Sequence, residues 1–354
     1  MRPLIIPFFI PHSGCPHTCL FCNQHLISGE QQLIPDSGQI QARIAEWLQR
    51  SPGRFTEVAF FGGSFTLLDF QTQQRLLTAV HPFICAGKVQ GIRISTRPDA
   101  LREDTLRFLK EQQVTTVEVG VQSLDDMVLQ CSGRGHTVQD SLDALKRVRQ
   151  FGITVGAQLL PGLPGDTEYT AVASMQGVLS AGAQLVRIYP AVVMKGTAMA
   201  DLYLSGAYRP PDLETGVRVA AKMMDLAYKA GIPVARVGLQ SEEGLAAEGT
   251  ILAGCWHPAL GQLVRSRIWF DLIIRKVRED HSGGVVLECH PNQVSELVGN
   301  GGSNRALWRQ AGLDVQSIRP SSEILYQHVV IESENGRVKY SVATDLIYEE
   351  LSHA

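Results

Sequence analysis

Residues 137–160, TVQDSLDALKRVRQFGITVGAQLL, carry a helix signal and a strand signal in one short stretch. Leu142, Leu145 and Val148 recur at helical spacing, and Gly152 follows at a position where a left-handed helix cap costs least. TVGAQLL (154–160) is a short apolar run that predicts a buried strand. A helix followed by a strand buried on both faces is the unit from which parallel sheets are built.

The same alternation continues almost without interruption to about residue 240. Strands are predicted at 4–10, 57–63, 91–96, 116–122, 154–160, 185–190 and 233–239, and helices at 39–50, 104–113, 137–151, 168–182 and 214–231. Right-handed crossovers wind such units in one direction, so six or seven of them form a barrel or an open partial barrel. In either form, ligands bind where the strands end.

The pattern changes after residue 240. A strand is predicted at 283–290, and the alternating segment 322–346 is typical of a hairpin with its turn at 334–336. We therefore expect two domains, a barrel domain over 1–240 and a smaller α+β domain over 241–354.

Composition and charge exclude several classes of protein. A hydrophobic content of 44% with 19% charged residues is typical of a globular protein, and a net charge of −3 argues against non-specific nucleic-acid binding. The N-terminal apolar run is broken by Pro3, Pro7 and Pro11, which favours a first strand over a signal peptide. No apolar run reaches the roughly 18 residues of a membrane helix. We expect a cytoplasmic protein without a membrane partner.

Three of the seven cysteines, Cys15, Cys19 and Cys22, lie within eight positions. Clustered thiolates select soft metals, and a cubane iron–sulfur cluster held by three cysteines leaves one iron free to bind a small molecule. The alternative is a zinc site completed by a nearby histidine, with His12, His17 and His25 as candidates.

The spacing Cys-x-x-x-Cys-x-x-Cys in SGCPHTCLFCNQ (13–24) resembles the signature of the radical S-adenosylmethionine (radical SAM) superfamily. Five further segments follow in the order of that family's motifs: FFGGSF (60–65), RISTRPDAL (93–101), VEVGVQSLDDMVLQCSGRGHT (117–137), QLLPGLPGDT (158–167) and VRIYPAVVMKGT (186–197). Within the superfamily the chain is most similar to the branch of the Elongator catalytic subunit and the oxygen-independent coproporphyrinogen dehydrogenases, without the acetyltransferase domain of the former. This resemblance implies an α/β fold, a partial (β/α)6-type TIM barrel followed by a smaller α+β domain.

The resemblance also implies two cofactors, a 4Fe–4S cluster on Cys15, Cys19 and Cys22 and a bound S-adenosylmethionine. The residues it places around S-adenosylmethionine are Gly62, Gly63, Ser95, Thr96, Gln122, Arg134 and Gln158. Gln158 departs from the coproporphyrinogen dehydrogenases, which have an aspartate there, so porphyrin oxidation is a weaker expectation than radical generation. Glu118 is expected either to face the barrel interior or to form a buried ion pair.

The implied activity is that of an oxidoreductase or transferase. A one-electron donor of the flavodoxin or ferredoxin type reduces the cluster, S-adenosylmethionine is cleaved to a 5′-deoxyadenosyl radical, and the radical abstracts hydrogen from a substrate that the sequence does not identify. No catalytic residue beyond the cofactor ligands is assigned. Two alternatives stay open: a non-catalytic haem or tetrapyrrole carrier or chaperone, and a zinc-stabilised RNA-binding protein.

The segment LVGNGGSN (297–304) resembles the Gly-x-x-Gly loop of KH RNA-binding domains, within a KH-like region over 284–319. The candidate RNA contacts are Gly299, Asn300, Gly301, Gly302 and Arg305. The alternative is an ordinary tight turn between helices. If RNA is the substrate, we expect a structured RNA such as tRNA.

Overall fold

A curved sheet of seven parallel strands forms the larger part of the computed structural model, which describes residues 3–10, 19–23, 34–239 and 249–348. The strands up to residue 254 are β1 (Leu4–Ile10), β2 (Thr56–Gly62), β3 (Gly91–Thr96), β4 (Val114–Gln122), β5 (Thr154–Leu159), β6 (Leu185–Ile188), β7 (Val192–Met194), β8 (Val234–Val237) and β9 (Ile251–Gly254). The large sheet has the order β1-β2-β3-β4-β5-β6-β8. Its two edges, β1 and β8, are not paired with each other, so the barrel is only partly closed.

Most of the helices up to residue 229 cover the outer face of this sheet. Their bounds are α1 (Ser37–Arg50), α2 (Phe70–Thr78), α3 (His81–Cys85), α4 (Glu103–Glu111), α5 (Asp126–Cys131), α6 (Val138–Gln150), α7 (Glu168–Ser180), α8 (Ala198–Leu204) and α9 (Leu213–Lys229). Side-chain caps fix several starts: Asp36 and Thr137 each accept a hydrogen bond from the backbone three residues on, which satisfies amides that the helix itself leaves unpaired.

The hydrophobic core lies between the sheet and these helices. All six residues of β3 are buried, and so are the apolar side chains of β4 and β5 that face the helices. Along β3, the apolar side chains Ile92 and Ile94, which belong to this core, alternate with the polar side chains Arg93 and Ser95.

The register of the sheet places polar side chains in two neighbouring rows on the inner face. Ser95 pairs with Glu118 across β3 and β4, while Gln158 pairs with Arg187 across β5 and β6. Arg187 in turn pairs with Arg236 on β8. Since paired residues of neighbouring strands project from the same face, both rows face the interior of the half-barrel.

A small antiparallel sheet, β7 paired with β9, lies beside the cysteine segment. The amide of Met199, at the start of α8, donates to the carbonyl of Leu20, and the Asn23 side chain donates to the carbonyl of Lys195. These bonds hold residues 20–23 against the turn that follows β7.

The C-terminal part contains a four-stranded sheet of order β11-β10-β12-β13. Its elements are α10 (Leu260–Asp280), β10 (Val285–Cys289), α11 (Val294–Val298), α12 (Ser303–Gln310), β11 (Val315–Pro320), β12 (His328–Ser333), β13 (Gly336–Ser341) and α13 (Val342–Asp345). The long helix α10 packs against α9 on one side and against α11 and α12 on the other. It therefore connects the two sheets through one continuous apolar core.

The predicted fold class, an α/β partial barrel followed by smaller sheets and helices, is confirmed. The predicted strands and helices agree with the structure to within a few residues, and the hairpin turns where expected, with Ser333 opposite Gly336. Helices α2, α3, α5 and α8 and the β7–β9 sheet were not predicted. The domain boundary expected at 240/241 lies outside the described residues and stays a prediction.

Candidate functional site

A cavity of about 700 Å³ occupies the inner face of the half-barrel. Its wall includes the seven residues expected to contact S-adenosylmethionine and two of the three cluster cysteines: Gly62, Gly63, Ser95, Thr96, Gln122, Arg134, Gln158, Cys19 and Cys22. Cys15 lies outside the described residues, as do the candidate zinc ligands His12, His17 and His25. The structure thus gathers residues from five separate sequence motifs around one space.

Cys19 and Cys22 stand on a tight turn at the mouth of this cavity. The amide of Cys22 donates to the carbonyl of Cys19, and the amide of Leu20 donates to the carbonyl of Ser132. The segment between the two cysteines is therefore anchored to the loop that carries Arg134.

Among the contacts of the described residues, Arg134 is the positively charged side chain that comes closest to the segment with Cys19 and Cys22. Its Nη1 lies 3.2 Å from the Cys19 sulfur, and its Nη2 donates to the carbonyl of Gly120 at 2.7 Å. The residue is only 6% exposed, and its Nε is buried with no hydrogen-bond partner in the described part of the chain. A buried guanidinium with one unused donor is suited to an anionic ligand.

The loop that carries Arg134 is held by a second arginine. Arg97 donates to the carbonyl of Arg134 and forms an ion pair with Asp99, with 2.9 Å between Nε and Oδ1. Burial and the two neighbouring guanidiniums lower the pKa of His136 to about 4, so this histidine is neutral at pH 7. Arg97 lies inside a segment singled out from the sequence, but its contact with Arg134 could not be seen there.

Gln122 ends β4 in a left-handed conformation, with φ +68°. Such a conformation costs about 1 kcal/mol or more for a residue other than glycine and persists only where the surroundings impose it. Its carbonyl accepts a hydrogen bond from the amide of Leu160, and the β4–β5 register shifts just before it. A Cβ at Gly120 would lie 2.9 Å from the side-chain Nε2 of Gln122 and 3.3 Å from Arg134 Nη2. The absence of a side chain at Gly120 therefore leaves room for both groups.

Gly62 and Gly63 line the cavity where β2 ends. A Cβ at Gly62, which has φ +101°, would lie 2.6 Å from the carbonyl oxygen of Ile10. The amide of Gly63 donates to the same oxygen at 3.0 Å. The close neighbour that requires glycine at position 62 is therefore the backbone of β1.

Glu118 is fully buried behind lining residues of the cavity and is held by two arginines. Its carboxylate lies 2.8 Å from Arg93 Nη1 and 2.6 Å from Arg187 Nε. Burial alone would raise the pKa of Glu118, but the two guanidiniums outweigh that effect and hold it below its usual value. Glu118 therefore both faces the interior and forms a buried ion pair, so both expectations for it apply.

The ion pairs extend beyond Glu118. Arg93 also contacts Glu57 at 2.5 Å, and Arg187 donates to the Tyr189 hydroxyl at 3.2 Å. Arg93, Arg187 and Tyr189 were not selected from the sequence as site residues. The available signal was a charged residue inside an otherwise buried strand, as in GIRIST (91–96) and LVRIYP (185–190).

Gln158 is oriented by its neighbours. Its amide nitrogen donates to Glu118 Oε2 at 2.9 Å and to Ser95 Oγ at 3.2 Å. An ionised carboxylate only accepts hydrogen bonds, so Glu118 fixes the amide nitrogen toward itself and leaves the Gln158 oxygen for another partner. A carboxylate at position 158 would face Glu118 directly, which gives a physical reason for glutamine in this chain.

Thr96 uses its hydroxyl differently from Ser95. Its Oγ1 lies 2.6 Å from Thr66 Oγ1, in the short helical turn Phe65–Leu67 that follows β2. Ser95 therefore belongs to the Glu118 network, whereas Thr96 links the end of β3 to the turn after β2.

The predicted RNA-binding loop lies far along the chain, between α11 and α12. Gly299, Gly301 and Gly302 have φ of +83°, +58° and +82°, and Asn300 is exposed. Nothing lies within 4 Å of a Cβ built at Gly301 or Gly302, and Arg305 is exposed on the first turn of α12. The buried amide of Asn304 donates to the carbonyls of Ser266 and Leu297 and so fixes the loop on α10.

Within the part of the chain that the structure describes, no helix has the length and apolar character needed to span a bilayer.

Two family models match the chain. The model for the radical SAM superfamily matches residues 9–176, and the model for the radical SAM C-terminal domain matches residues 183–269. Together they include all the cluster cysteines and all the residues expected around S-adenosylmethionine.

Several curated proteins are similar to the chain. An uncharacterised protein of Methanocaldococcus jannaschii is 31% identical over 56% of this chain and 64% of its own length. A tRNA uridine(34) acetyltransferase of the same organism is 27% identical over 51% of this chain and 37% of its own length. The heme chaperone HemW of Lactococcus lactis is 25% identical over 65% and 60%. The chain thus spans less than two thirds of each of these relatives.

Among solved structures, the archaeal Methanocaldococcus infernus Elp3 lacking residues 1–46 matches with a TM-score of 0.59 at 22% identity. The match covers 76% of this chain and 63% of that one, and it shows a shared fold.

The contacts of Glu118 with Arg93, Arg187 and Gln158 can be tested by a substitution at Gln158. Replacing Gln158 with glutamate puts a second carboxylate within hydrogen-bonding distance of Glu118, and like charges at that distance resist joint ionisation. We expect Q158E to lower the free energy of unfolding by about 2 kcal/mol at pH 7.5. The folded pair binds a proton more readily than the unfolded chain, so the deficit should shrink as the pH falls toward 5.

The matched control is Q158M, which removes the amide without adding charge. The loss in free energy of unfolding that Q158M causes should be the same at pH 5 and at pH 7.5, measured by urea unfolding of the apoprotein. Equal deficits for Q158E and Q158M at pH 5 and at pH 7.5 would contradict this account of the network.

Proposed function

This chain belongs to the radical SAM superfamily, and from that premise we propose that it reductively cleaves S-adenosylmethionine and abstracts hydrogen from a substrate, with Cys15, Cys19 and Cys22 as the cluster ligands. The superfamily uses the two cofactors expected from the sequence, a 4Fe–4S cluster and S-adenosylmethionine. The observation that carries the proposal is the cavity that brings Cys19 and Cys22 together with all seven expected S-adenosylmethionine residues.

The residues fit these groups on evidence from the chain itself. Two thiol groups on one short turn are suited to iron, and Arg134 Nη1 lies 3.2 Å from the Cys19 sulfur. The buried Nε of Arg134 has no partner among the described residues, which suits the carboxylate of an amino-acid ligand. The cavity volume lies within the range of small-molecule sites.

Each residue then has a definite task. Arg134 binds an anionic group near the cysteines, and Arg97 holds the loop that positions Arg134. Gln158, fixed by Glu118, leaves its amide oxygen to accept a hydrogen bond from a ribose hydroxyl. The apolar walls at Phe9 and Phe61 exclude water from the space between them.

A bound cluster, held by Cys15, Cys19 and Cys22, would supply one electron for the cleavage of S-adenosylmethionine to methionine and a 5′-deoxyadenosyl radical, which would take one hydrogen atom from the substrate. The electron comes from a flavodoxin-type or ferredoxin-type donor, which we propose as the partner.

We further propose a structured RNA, such as tRNA, as the substrate. Two observations support it: the glycine loop at 299–302 is open to solvent at Gly301 and Gly302, and one relative carries the name of a tRNA acetyltransferase. Exposed Arg305 and Arg309 follow the loop on α12, where they add positive charge for a phosphate backbone.

Cleavage of S-adenosylmethionine tests the proposed activity. Anaerobically reconstituted protein with dithionite should release 5′-deoxyadenosine, measured by chromatography, and C19A and C22A should release none because the cluster loses a ligand. C85A, at an exposed cysteine outside the cavity, is the matched control and should behave as the unmodified protein.

Binding of S-adenosylmethionine without any release of 5′-deoxyadenosine would sink the proposed activity and favour a non-catalytic carrier. Full activity in C19A or C22A would remove that cysteine from the ligand set.

The RNA proposal is tested at Gly302. An aspartate there adds a negative charge where the phosphate backbone would lie, so G302D should weaken binding of labelled, unfractionated tRNA by about tenfold. G206D is the matched control, because Gly206 has a similar φ of +79° and equally open surroundings. Equal tRNA affinity in the two variants would dispose of a role for the loop.

A further inference from the structure

Arg236 lies on β8, at the open edge of the large sheet, and lines the cavity. In the sheet register it is the partner of Arg187 on β6. Paired residues of neighbouring strands project from one face, so two guanidiniums stand side by side on the inner wall.

The charges around this pair do not balance. Three arginines, Arg93, Arg187 and Arg236, line the cavity, and the carboxylates that contact Arg93 and Arg187 are Glu57 and Glu118. Glu118 is already shared between Arg93 and Arg187. In the described ranges, no carboxylate or hydrogen-bond acceptor contacts Arg236, which leaves one positive charge uncompensated.

Two like charges opposite each other in adjacent strands repel, and a half-buried guanidinium without an acceptor loses part of its hydration. An anionic oxygen group placed between the strands removes both penalties. The planar fork of arginine matches the two oxygens of a carboxylate or a phosphate.

The opposite edge of the cavity has a different character. Ile5, Pro7 and Phe9 of β1 present apolar surface to the same space. A molecule that bridges the opening therefore needs an anionic group toward β8 and an apolar or aromatic body toward β1.

We propose that Arg236, beside Arg187, binds an anionic oxygen group of the substrate, a phosphate or a carboxylate, at the open edge of the half-barrel. That the anion belongs to the substrate rests on the proposed function, whereas the anion site itself does not. Arg236 is thereby a residue that selects substrates by charge, separate from the groups that face the cysteines.

Thermal unfolding with simple anions tests the site. At matched ionic strength, inorganic pyrophosphate or citrate should raise the Tm of the unmodified protein by about 2–4 °C relative to chloride. R236Q should lose most of this rise, and R236K should keep part of it because it retains the charge without the fork. R209Q, the same change at an exposed arginine outside the cavity, should respond as the unmodified protein does.

Without added anion and at low salt, R236Q should unfold at or above the Tm of the unmodified protein, because the repulsion from Arg187 is relieved. This measurement shows that the variant is folded. If pyrophosphate or citrate raises the Tm of R236Q as much as that of the unmodified protein, or does not raise the Tm of the unmodified protein, the proposed anion site is wrong.

Two ligands distinguish the source of the anion. If R236Q binds unfractionated tRNA about tenfold more weakly but binds coproporphyrin unchanged, the anion is a phosphate. If coproporphyrin binding falls and tRNA binding is unchanged, the anion is a carboxylate. Unchanged binding of both would overturn the assignment to the substrate. Release of 5′-deoxyadenosine is measured on the unmodified protein and anion binding is compared in R236Q, so failure of the proposed activity and failure of the charge-selection proposal give different results.

Discussion

The buried carboxylate of Glu118 is the constraint on which the interior of the half-barrel depends. Moving a carboxylate out of water without a partner costs several kcal/mol, and breaking a buried ion pair costs about 3–5 kcal/mol. Glu118 avoids this through Arg93 on β3 and Arg187 on β6, while Gln158 on β5 donates to its second oxygen. One side chain on β4 thus fixes the relative positions of three other strands.

This network determines which polar groups remain for ligands. Arg93 and Arg187 are neutralised by carboxylates, and Ser95 is bonded to Gln158. At the mouth of the cavity, Arg134 keeps a buried donor beside Cys19. At the open edge of the sheet, the guanidinium of Arg236 has no carboxylate or hydrogen-bond acceptor among the described residues. Compensated charges therefore occupy the middle strands of the sheet, whereas Arg134 and Arg236 remain for ligands.

The fold could be predicted because strands and helices follow local patterns, and seven of the cavity residues could be named because the motifs follow the order of a known family. Apolar runs and helical spacing located the strands, and motif order located Gly62, Gln122 and Arg134. The partnership of Arg93 with Glu118 could not be predicted, because it depends on the register between strands separated by a helix. The left-handed backbone at Gln122 was also hidden, since it is imposed by the shifted β4–β5 register.

The smaller elements were missed for a different reason. β7 and β9 have three and four residues, too few for any periodicity, and they form only because each pairs with the other. The role of α10 was equally invisible, since its neighbours α9 and α12 come from opposite ends of the C-terminal half.

The central claim is that three thiolates hold a cluster with one iron left open for S-adenosylmethionine. Electron paramagnetic resonance of the anaerobically reduced protein, recorded before and after S-adenosylmethionine is added, tests it directly. The account predicts the signal of a reduced 4Fe–4S cluster whose g-values shift on addition, because the ligand binds the open iron. An unchanged spectrum, or a preparation that contains zinc and gives no signal, would contradict it.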